Sequence, residues 1–415
     1  MNPQRIKILY MIDCLIAWAG TEKHLYKLIS GMDKNRYECH VCAFALSAEM
    51  LERFKSTGAK TFLMPLENIY GVAALKQALQ LRRFLRENEI DIVQTFHFAS
   101  DIMGTLVARW AGVPVVISSK RDMGFLNNRM HARALRLIDP LVNRVICVSN
   151  AVKQALAERK LVKPRKAVVF YNGVDLNEFK VDHSNIAARK KQLGLRPELP
   201  VVALVANPRP IKDLETFIRA ARQVLDLQHN AQFVVVGAEC FYLTGKRDYQ
   251  AQLNELIARL NLREHVIFLG NRSEVNQILP LADICVLTSL SEGFSNTIVE
   301  YMTAERPVIA TDVGGNREAI VDQETGFLIP AQAPQRLAEL IARLLNDKAL
   351  AARLGKAGRK RIEKHFTLAR MVENHQALYK ALLSKKSKGE NSARAYRLAE
   401  AGRNCQPPDF VEAVN

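Results

Sequence analysis

Short apolar runs alternate with longer amphipathic segments along almost the whole chain, and no other feature constrains the fold as strongly. Strand-length runs are read at Ile6–Ile12, Glu38–Phe44, Ile92–Phe96, Val113–Ser118, Arg144–Val148 and Ala167–Tyr171. A second series runs through Val201–Ala206, Gln232–Val236, Val266–Phe268, Ile284–Leu287, Val308–Thr311 and Gly326–Ile329. Helical stripes lie between them; after Asp213, a candidate N-cap, apolar residues recur at Leu214, Phe217, Ile218, Ala221, Val224 and Leu225. Strands alternating with helices imply parallel sheets covered on both faces. Two series of six strands predict an α/β chain of two doubly wound domains.

A polar stretch at 177–200, carrying Arg189, Lys190 and Lys191 and ending in Pro197 and Pro200, predicts the break. The expected division is 1–180, 181–365, an amphipathic C-terminal helix at 366–383 packing back on the first domain, and a polar, mobile tail at 384–415. With 48 % hydrophobic and 24 % charged residues the chain is an ordinary globular protein, which excludes wholesale disorder and a disulfide mini-protein.

The N-terminus has two readings. Arg5, Lys7, an apolar run and Ala17-Trp18-Ala19 outline a secretory signal. Asp13 inside the run argues instead for a buried first strand followed by a helix from about Thr21. No run approaches the ~18 apolar residues that span a bilayer, so a cytoplasmic protein, peripheral at a membrane surface, is expected. Seven scattered cysteines fit a reducing compartment. Cys39 and Cys42 have metal-pair spacing, yet on a strand residues three apart point to opposite faces. No metal site is expected.

The chemistry concentrates in Glu292-Gly293-Phe294-Ser295-Asn296-Thr297-Ile298-Val299-Glu300, between a strand and a helix start. Free backbone N–H groups at such a terminus suit an anion, and carboxylates eight residues apart suit sugar and ribose hydroxyls. Asn207-Pro208-Arg209-Pro210-Ile211-Lys212 places two cations between a strand end and another helix start, which suits a diphosphate.

These motifs together resemble glycosyltransferase family 4, retaining enzymes of the GT-B fold. The match includes Val308–Glu318, Glu324–Ile329, Tyr171-Asn172-Gly173-Val174-Asp175 and the glycine loop Ala19-Gly20-Thr21-Glu22, and it runs from about residue 5 to 383. The resemblance implies two Rossmann-like domains facing across a cleft and a nucleotide-diphosphate sugar as donor. It also implies Glu292 beside the donor sugar and Glu300 on the ribose. Gly293, Phe294, Ser295, Asn296 and Thr297 would lie along sugar and phosphate, with Gly20, Thr21 and Asn207 completing the donor site. The family usually spaces its Arg and Lys five apart; here Arg209 and Lys212 are three apart, and Asn207 stands at the usual Arg position. Asn271 and Arg272, after the strand Val266–Phe268, are positional candidates for the base. Family members use the leaving phosphate to deprotonate the acceptor, with Lys212, Arg209 and helix N-termini stabilising the diphosphate without a metal or other cofactor. His97, past the strand Ile92–Phe96, is the candidate acceptor-side catalytic residue, with a structural role as its rival. Many relatives place a histidine after the next strand, where this chain has Ser118-Ser119-Lys120-Arg121-Asp122.

The formal charge is +17. Residues 1–180 hold 27 Lys+Arg against 16 Asp+Glu, so most of the excess lies on the acceptor side. Arg82, Arg83 and Arg86 cluster on one segment, and Arg129, Arg133 and Arg136 share one helical face. A basic amphipathic helix reads as a membrane-surface or anionic-acceptor contact, against a solvated face. With aromatics at 7 % and no interleaved platform, nucleic acid is not an expected partner. The reading is a transferase moving a sugar to a glycan or lipid-linked acceptor, in cell-surface polysaccharide synthesis at the inner face of a bacterial membrane. Its alternatives are a GT-B nucleotide-sugar epimerase and a non-catalytic nucleotide-sugar or lipid-binding protein.

Overall fold

The strand runs form two separate parallel sheets. The computed structural model describes residues 5–66, 69–124, 129–179, 185–227, 229–238, 249–272 and 274–388. The chain divides into one unit ending at Gly173 and resuming at Leu368, and a second spanning Val174–Thr367.

In unit 1 the strands are β1 (Ile6–Leu15), β2 (Tyr37–Leu46), β3 (Lys60–Leu63), β4 (Ile92–Phe96), β5 (Val115–Lys120), β6 (Arg144–Cys147) and β7 (Ala167–Val169). They form one sheet in the order β3-β2-β1-β4-β5-β6-β7. The sequence predicts six strands here and the sheet has seven. The unexpected β3 is four residues long at the sheet edge, with Lys60 and Leu63 exposed, so it lacks the continuous apolar run that marked the others. In unit 2, β8 (Val201–Val205), β9 (Gln232–Val236), β10 (Val266–Phe268), β11 (Ile284–Leu287), β12 (Val308–Thr311) and β13 (Phe327–Ile329) order as β10-β9-β8-β11-β12-β13. Interior strands such as β4 and β9 are buried at every residue, as expected where helices cover both faces.

β1 is an interior strand paired to β2 and β4, with Ile8–Ile12 sealed from solvent. Asp13, the acid that interrupts the apolar run, accepts from the backbone N–H of Ala99 (3.0 Å) and Ser100 (2.7 Å). Its charge thus meets the first turn of the helix Phe98–Ala111, where the helix dipole favours an anion. Cys39 packs with Ile8 and Tyr10 on one face of the sheet, and Cys42 packs with Leu9 and Met11 on the other. Both are free thiols that burial pushes up to about 12.

The unit boundaries fall at 173/174 and 367/368 rather than at 180 and 365. The two chain crossings lie side by side there, because Val174 and Thr367 form a parallel bridge within unit 2. The C-terminal helix Leu368–Lys388 belongs to unit 1 and buries Met371, Val372, Leu378, Tyr379 and Leu382 in its core. The Tyr379 hydroxyl donates to the Gln94 side chain on β4 and lies 3.3 Å from the Tyr10 hydroxyl on β1. The helix runs four residues past the start of the expected tail; residues 389–415 lie outside the described residues.

Strand order reverses between β1 and β4 in unit 1 and between β8 and β11 in unit 2. Open parallel sheets bind ligands beyond the carboxyl ends of their strands at such switch points. The segments singled out from sequence occupy both.

Candidate functional site

At the unit 2 switch point β8 and β11 pair only at Ile284↔Val202 and Cys285↔Ala203. Further along, the Tyr301 hydroxyl bridges them, accepting from Val205 N–H at 2.6 Å and donating to Val286 C=O at 3.2 Å. Tyr301 sits on the helix Asn296–Thr303, whose N-cap Ser295 accepts from Ile298 N–H at 3.3 Å. The helix that carries Glu300 is thereby anchored with its N-terminus at the strand ends. Sequence reasoning missed Tyr301, whose place right after Glu300 in the quoted motif was the available signal.

Two loops meet in front of that terminus. After β8 the chain passes Asn207 and Arg209, makes a 3-10 turn at Pro210–Lys212, and enters the helix Leu214–Asp226. Asp213, at φ +46°, caps that helix by accepting from the N–H (3.3 Å) and hydroxyl (2.7 Å) of Thr216. After β11, Leu290 N–H donates to Ile211 C=O (2.8 Å), and the Thr288 hydroxyl donates to Lys212 C=O (2.9 Å). This stitching puts Lys212 Nζ 2.6 Å from Glu292 Oε1, which also accepts from the Ser289 hydroxyl at 2.7 Å. The side chains keep 27 % and 13 % of their exposure, so the ion pair stays open to exchange.

Gly314 seats Glu292. At φ +52° it approaches so closely that a Cβ would fall 1.7 Å from the Glu292 carbonyl oxygen, while Gly315 N–H donates to that oxygen at 3.3 Å. A side chain at 314 must displace the Glu292 backbone.

The remaining expected donor residues divide. Gly293 and Ser295 are buried, and Asn296 and Thr297 half-buried, at the helix start. Thr297 Oγ1 lies 3.5 Å from Val205 C=O. The Phe294 side chain is buried with its ring 5.4 Å from Phe366, so it anchors the loop from inside unit 2 and leaves only its backbone for a ligand. The Asn207 side chain accepts from Ala238 N–H at 2.9 Å, tying the ends of β8 and β9 together. Arg209 is exposed, three residues before Lys212. Asn271 and Arg272 are exposed beyond the edge strand β10, two strands from β8; Arg272 Nε donates to Leu269 C=O at 3.1 Å.

At the unit 1 switch point Gly20 and Thr21 open the helix Gly20–Ser30 after β1. His97 follows β4 with φ 74° and ψ 177°, and its Nε2 lies 3.4 Å from the Thr21 hydroxyl. Gly20 and Thr21, expected at the donor, stand with His97 in unit 1. Glu22, three residues after the cap position Ala19, is bound back to the backbone there, one half of a capping box. Burial raises its carboxyl, with His97 and Arg121 pulling it down. Arg121 in turn has His24, Asn172 and His375 around it in the same unit.

Of the three expected membrane arginines, Arg129, Arg133 and Arg136 are all exposed on the helix Arg129–Ile138, which buries Leu135 and Ile138. Arg136 is nonetheless occupied, donating to the carbonyls of Arg159 (2.9 Å) and Lys160 (3.2 Å). Among the described residues, no helix is long and apolar enough to cross a membrane.

Known families match along most of this length. Residues 18–178 match the family described as Glycosyltransferase Family 4, and residues 185–361 match Glycosyl transferases group 1. The UDP-Gal:alpha-D-GlcNAc-diphosphoundecaprenol alpha-1,3-galactosyltransferase of Escherichia coli is 27 % identical over 79 % of this chain and 86 % of its own. The capsular polysaccharide biosynthesis glycosyltransferase CapM of Staphylococcus aureus is 26 % identical over 59 % of this chain and 63 % of its own. Among solved structures, HepE of Anabaena in complex with UDP and glucose aligns with a TM-score of 0.81 at 23 % identity, covering 91 % of this chain and all of that one. The epimerase and the non-catalytic binding protein, the alternatives read from sequence, find no support in these comparisons. The chain belongs to glycosyltransferase family 4: it is a nucleotide-sugar-dependent glycosyltransferase with two Rossmann-like units of the GT-B fold.

Proposed function

We propose that this glycosyltransferase moves a hexose from a uridine diphosphate sugar to a lipid-diphosphate-linked glycan, with retention at the anomeric carbon, in surface polysaccharide assembly. The observation that carries the reading is the exchangeable Lys212–Glu292 pair at the β8/β11 switch point, 2.6 Å apart in front of two helix N-termini. A diphosphate entering there takes Lys212 as its counter-charge, and Arg209 on the same loop adds a second cation. In this scheme Glu292 then turns to the sugar hydroxyls, and Glu300, one turn into the anchored helix, takes the ribose hydroxyls. Stabilisation of the departing diphosphate by fixed cations and helix dipoles lowers the barrier. This scheme uses no metal, and activity unchanged by a chelator is expected.

The Escherichia coli relative supports the donor and acceptor classes. A peripheral membrane location draws support from the helix Val72–Glu87, which is apolar on two sides. Ala74, Leu81 and Leu85 are buried, while Val72, Leu75 and Leu79 stand 86 %, 59 % and 49 % exposed. Arg82 follows on the same helix, its guanidinium 4.6 Å above the ring of half-exposed Trp110. Leucines and an interfacial tryptophan beside arginines suit an anionic bilayer surface.

The test is incubation with UDP-hexoses and a polyprenyl-diphosphate-linked N-acetylhexosamine, the product anomer read by proton NMR. An α-linked product from an α-linked donor is expected. A β-linked product refutes retention, and absence of transfer from any uridine diphosphate sugar refutes the donor.

A further inference from the structure

Arg121 is left unused by the donor chemistry. It follows β5 at the carboxyl end of the unit 1 sheet. One arm of its guanidinium, Nη2, donates to Asn172 Oδ1, just past β7. Its Nε is enclosed without a hydrogen-bond partner, although the residue as a whole is only half-buried. Neighbouring Lys120 is already taken, its ammonium paired with buried Asp101. Burial pushes the Arg121 guanidinium down to about 9 against the pull of Glu22 and Asp122. A guanidinium kept only to brace β5 against β7 would have its enclosed donor satisfied.

A second observation lies on the adjacent strand. His97, directly after β4, holds φ 74° and ψ 177°, a region almost reserved for glycine. Such backbone strain persists mainly at functional sites. Its imidazole meets the Thr21 hydroxyl, and Glu22, the next residue, feels both His97 and Arg121. The carboxyl ends of β1, β4 and β5 are consecutive in the sheet and flank its switch point.

We propose that Arg121 is the anion-recognition residue of an acceptor subsite in unit 1, taking a phosphate or diphosphate group of the acceptor. The planar fork matches phosphate oxygens in a way an ammonium cannot. Glu22 acts on Arg121 through space rather than in an ion pair, and its negative charge opposes the incoming anion. The biological use of the subsite rests on the transferase reading above; the subsite itself does not.

Thermal-shift titration with inorganic pyrophosphate tests it. Pyrophosphate also fits the donor loop, so the titration is run in wild type, Lys212→Ala, Arg121→Gln and the double variant. A stabilisation that survives Lys212→Ala and needs roughly ten-fold or more pyrophosphate after Arg121→Gln is expected. Glu22→Gln keeps the helix cap and removes the competing charge, so it should tighten pyrophosphate several-fold, an effect no structural role produces. A cooperative melting transition in the absence of ligand, near that of the wild type, reports that each variant is folded. Pyrophosphate affinity in the Lys212→Ala background that ignores Arg121→Gln, or weakens with Glu22→Gln, overturns the proposal. A sugar 1-phosphate and a polyprenyl-diphosphate sugar in the same assay distinguish a soluble from a lipid-borne source of the anion. If no uridine diphosphate sugar binds or turns over, the transferase assignment of donor fails, while the pyrophosphate arm still reports on Arg121.

Discussion

The two units carry the same sheet plan and opposite electrostatics at their switch points. In unit 2 Lys212 and Glu292 hold each other at 2.6 Å near the surface. In unit 1 Glu22, His24 and His375 are buried and Arg121 half-buried, and burial is the largest influence on each: it raises the carboxyl and lowers the two imidazoles and the guanidinium. The Lys212–Glu292 pair keeps a path to solvent, with 27 % and 13 % of its side-chain exposure, so an incoming anion can compete for Lys212. An enclosed cluster is costly to disturb and discriminates strongly.

The largest effect that would break this contrast is at Lys212. On the proposed mechanism Lys212→Ala removes the cation facing the leaving diphosphate, and a loss of about 1,000-fold in kcat is expected, the scale for deleting one transition-state electrostatic contact. Turnover within ten-fold of wild type would move the diphosphate site off this loop. Gly314→Ala comes next. Its Cβ must push the Glu292 carbonyl aside, and a displacement near 1 Å at a reacting centre costs roughly 100-fold. Unit 2 should still melt normally, because the strain is local; a collapsed melting temperature with unaltered specific activity of the folded fraction would show that Gly314 supports folding rather than the site.

The acid response sharpens the other side of the comparison. Burial holds the His375 imidazole down to about 4, and His24 beside it is also driven well below its ordinary value. Their rings lie 5.9 Å apart, with Phe170 and Tyr379 packed on His375 and Arg121 nearby. A histidine depressed in the folded state stabilises it by staying neutral. That contribution is complete above the unfolded value near 6.5 and is lost as pH falls toward about 4, because the unfolded chain takes the proton first. For His375 alone the loss is about 3 kcal/mol. Calorimetry between pH 7.5 and 4.5 should show an acid-labile transition that His375→Gln makes less steep. The same slope in the variant would remove His375 from the cause.

Much of the candidate donor site's arrangement was legible because its residues are local in sequence. Glu292, the helix start at Asn296 and the Arg209–Lys212 loop each lie within a few residues of a strand end, and periodicity placed those ends. The direction of the Phe294 side chain was not legible because a motif gives order and not orientation: its ring turns into the unit 2 core to meet Phe366, 72 residues away. The role of Gly314 needs a contact across 22 residues that no spacing rule encodes. β3 escaped because an edge strand with exposed Lys60 and Leu63 carries little apolar signal. Arg121 stood in a quoted segment, yet only the fold reveals that its Nε is enclosed and that Asn172 and Glu22 come to it from two other strand ends.

The smallest expected effect concerns the outer surface of unit 1. The sequence favoured Arg129, Arg133 and Arg136, but Arg136 is spent on backbone carbonyls. The helix Val72–Glu87 instead offers both an apolar outer face and arginines. Each exposed leucine inserted into a bilayer interface adds about 1.5–3 kcal/mol at most if fully buried, and each cation near an anionic surface adds about 1 kcal/mol. Replacing Leu75 and Leu79 by serine should therefore lower binding to vesicles of anionic phospholipid several-fold even at high salt. Replacing Arg129 and Arg133 should lower it less, and only at low salt, because that term is screened. Co-sedimentation at two ionic strengths separates the two. Equal loss from both pairs at low salt, with none at high salt, would mean that the surface meets lipid by charge alone and that the exposed leucines do not insert.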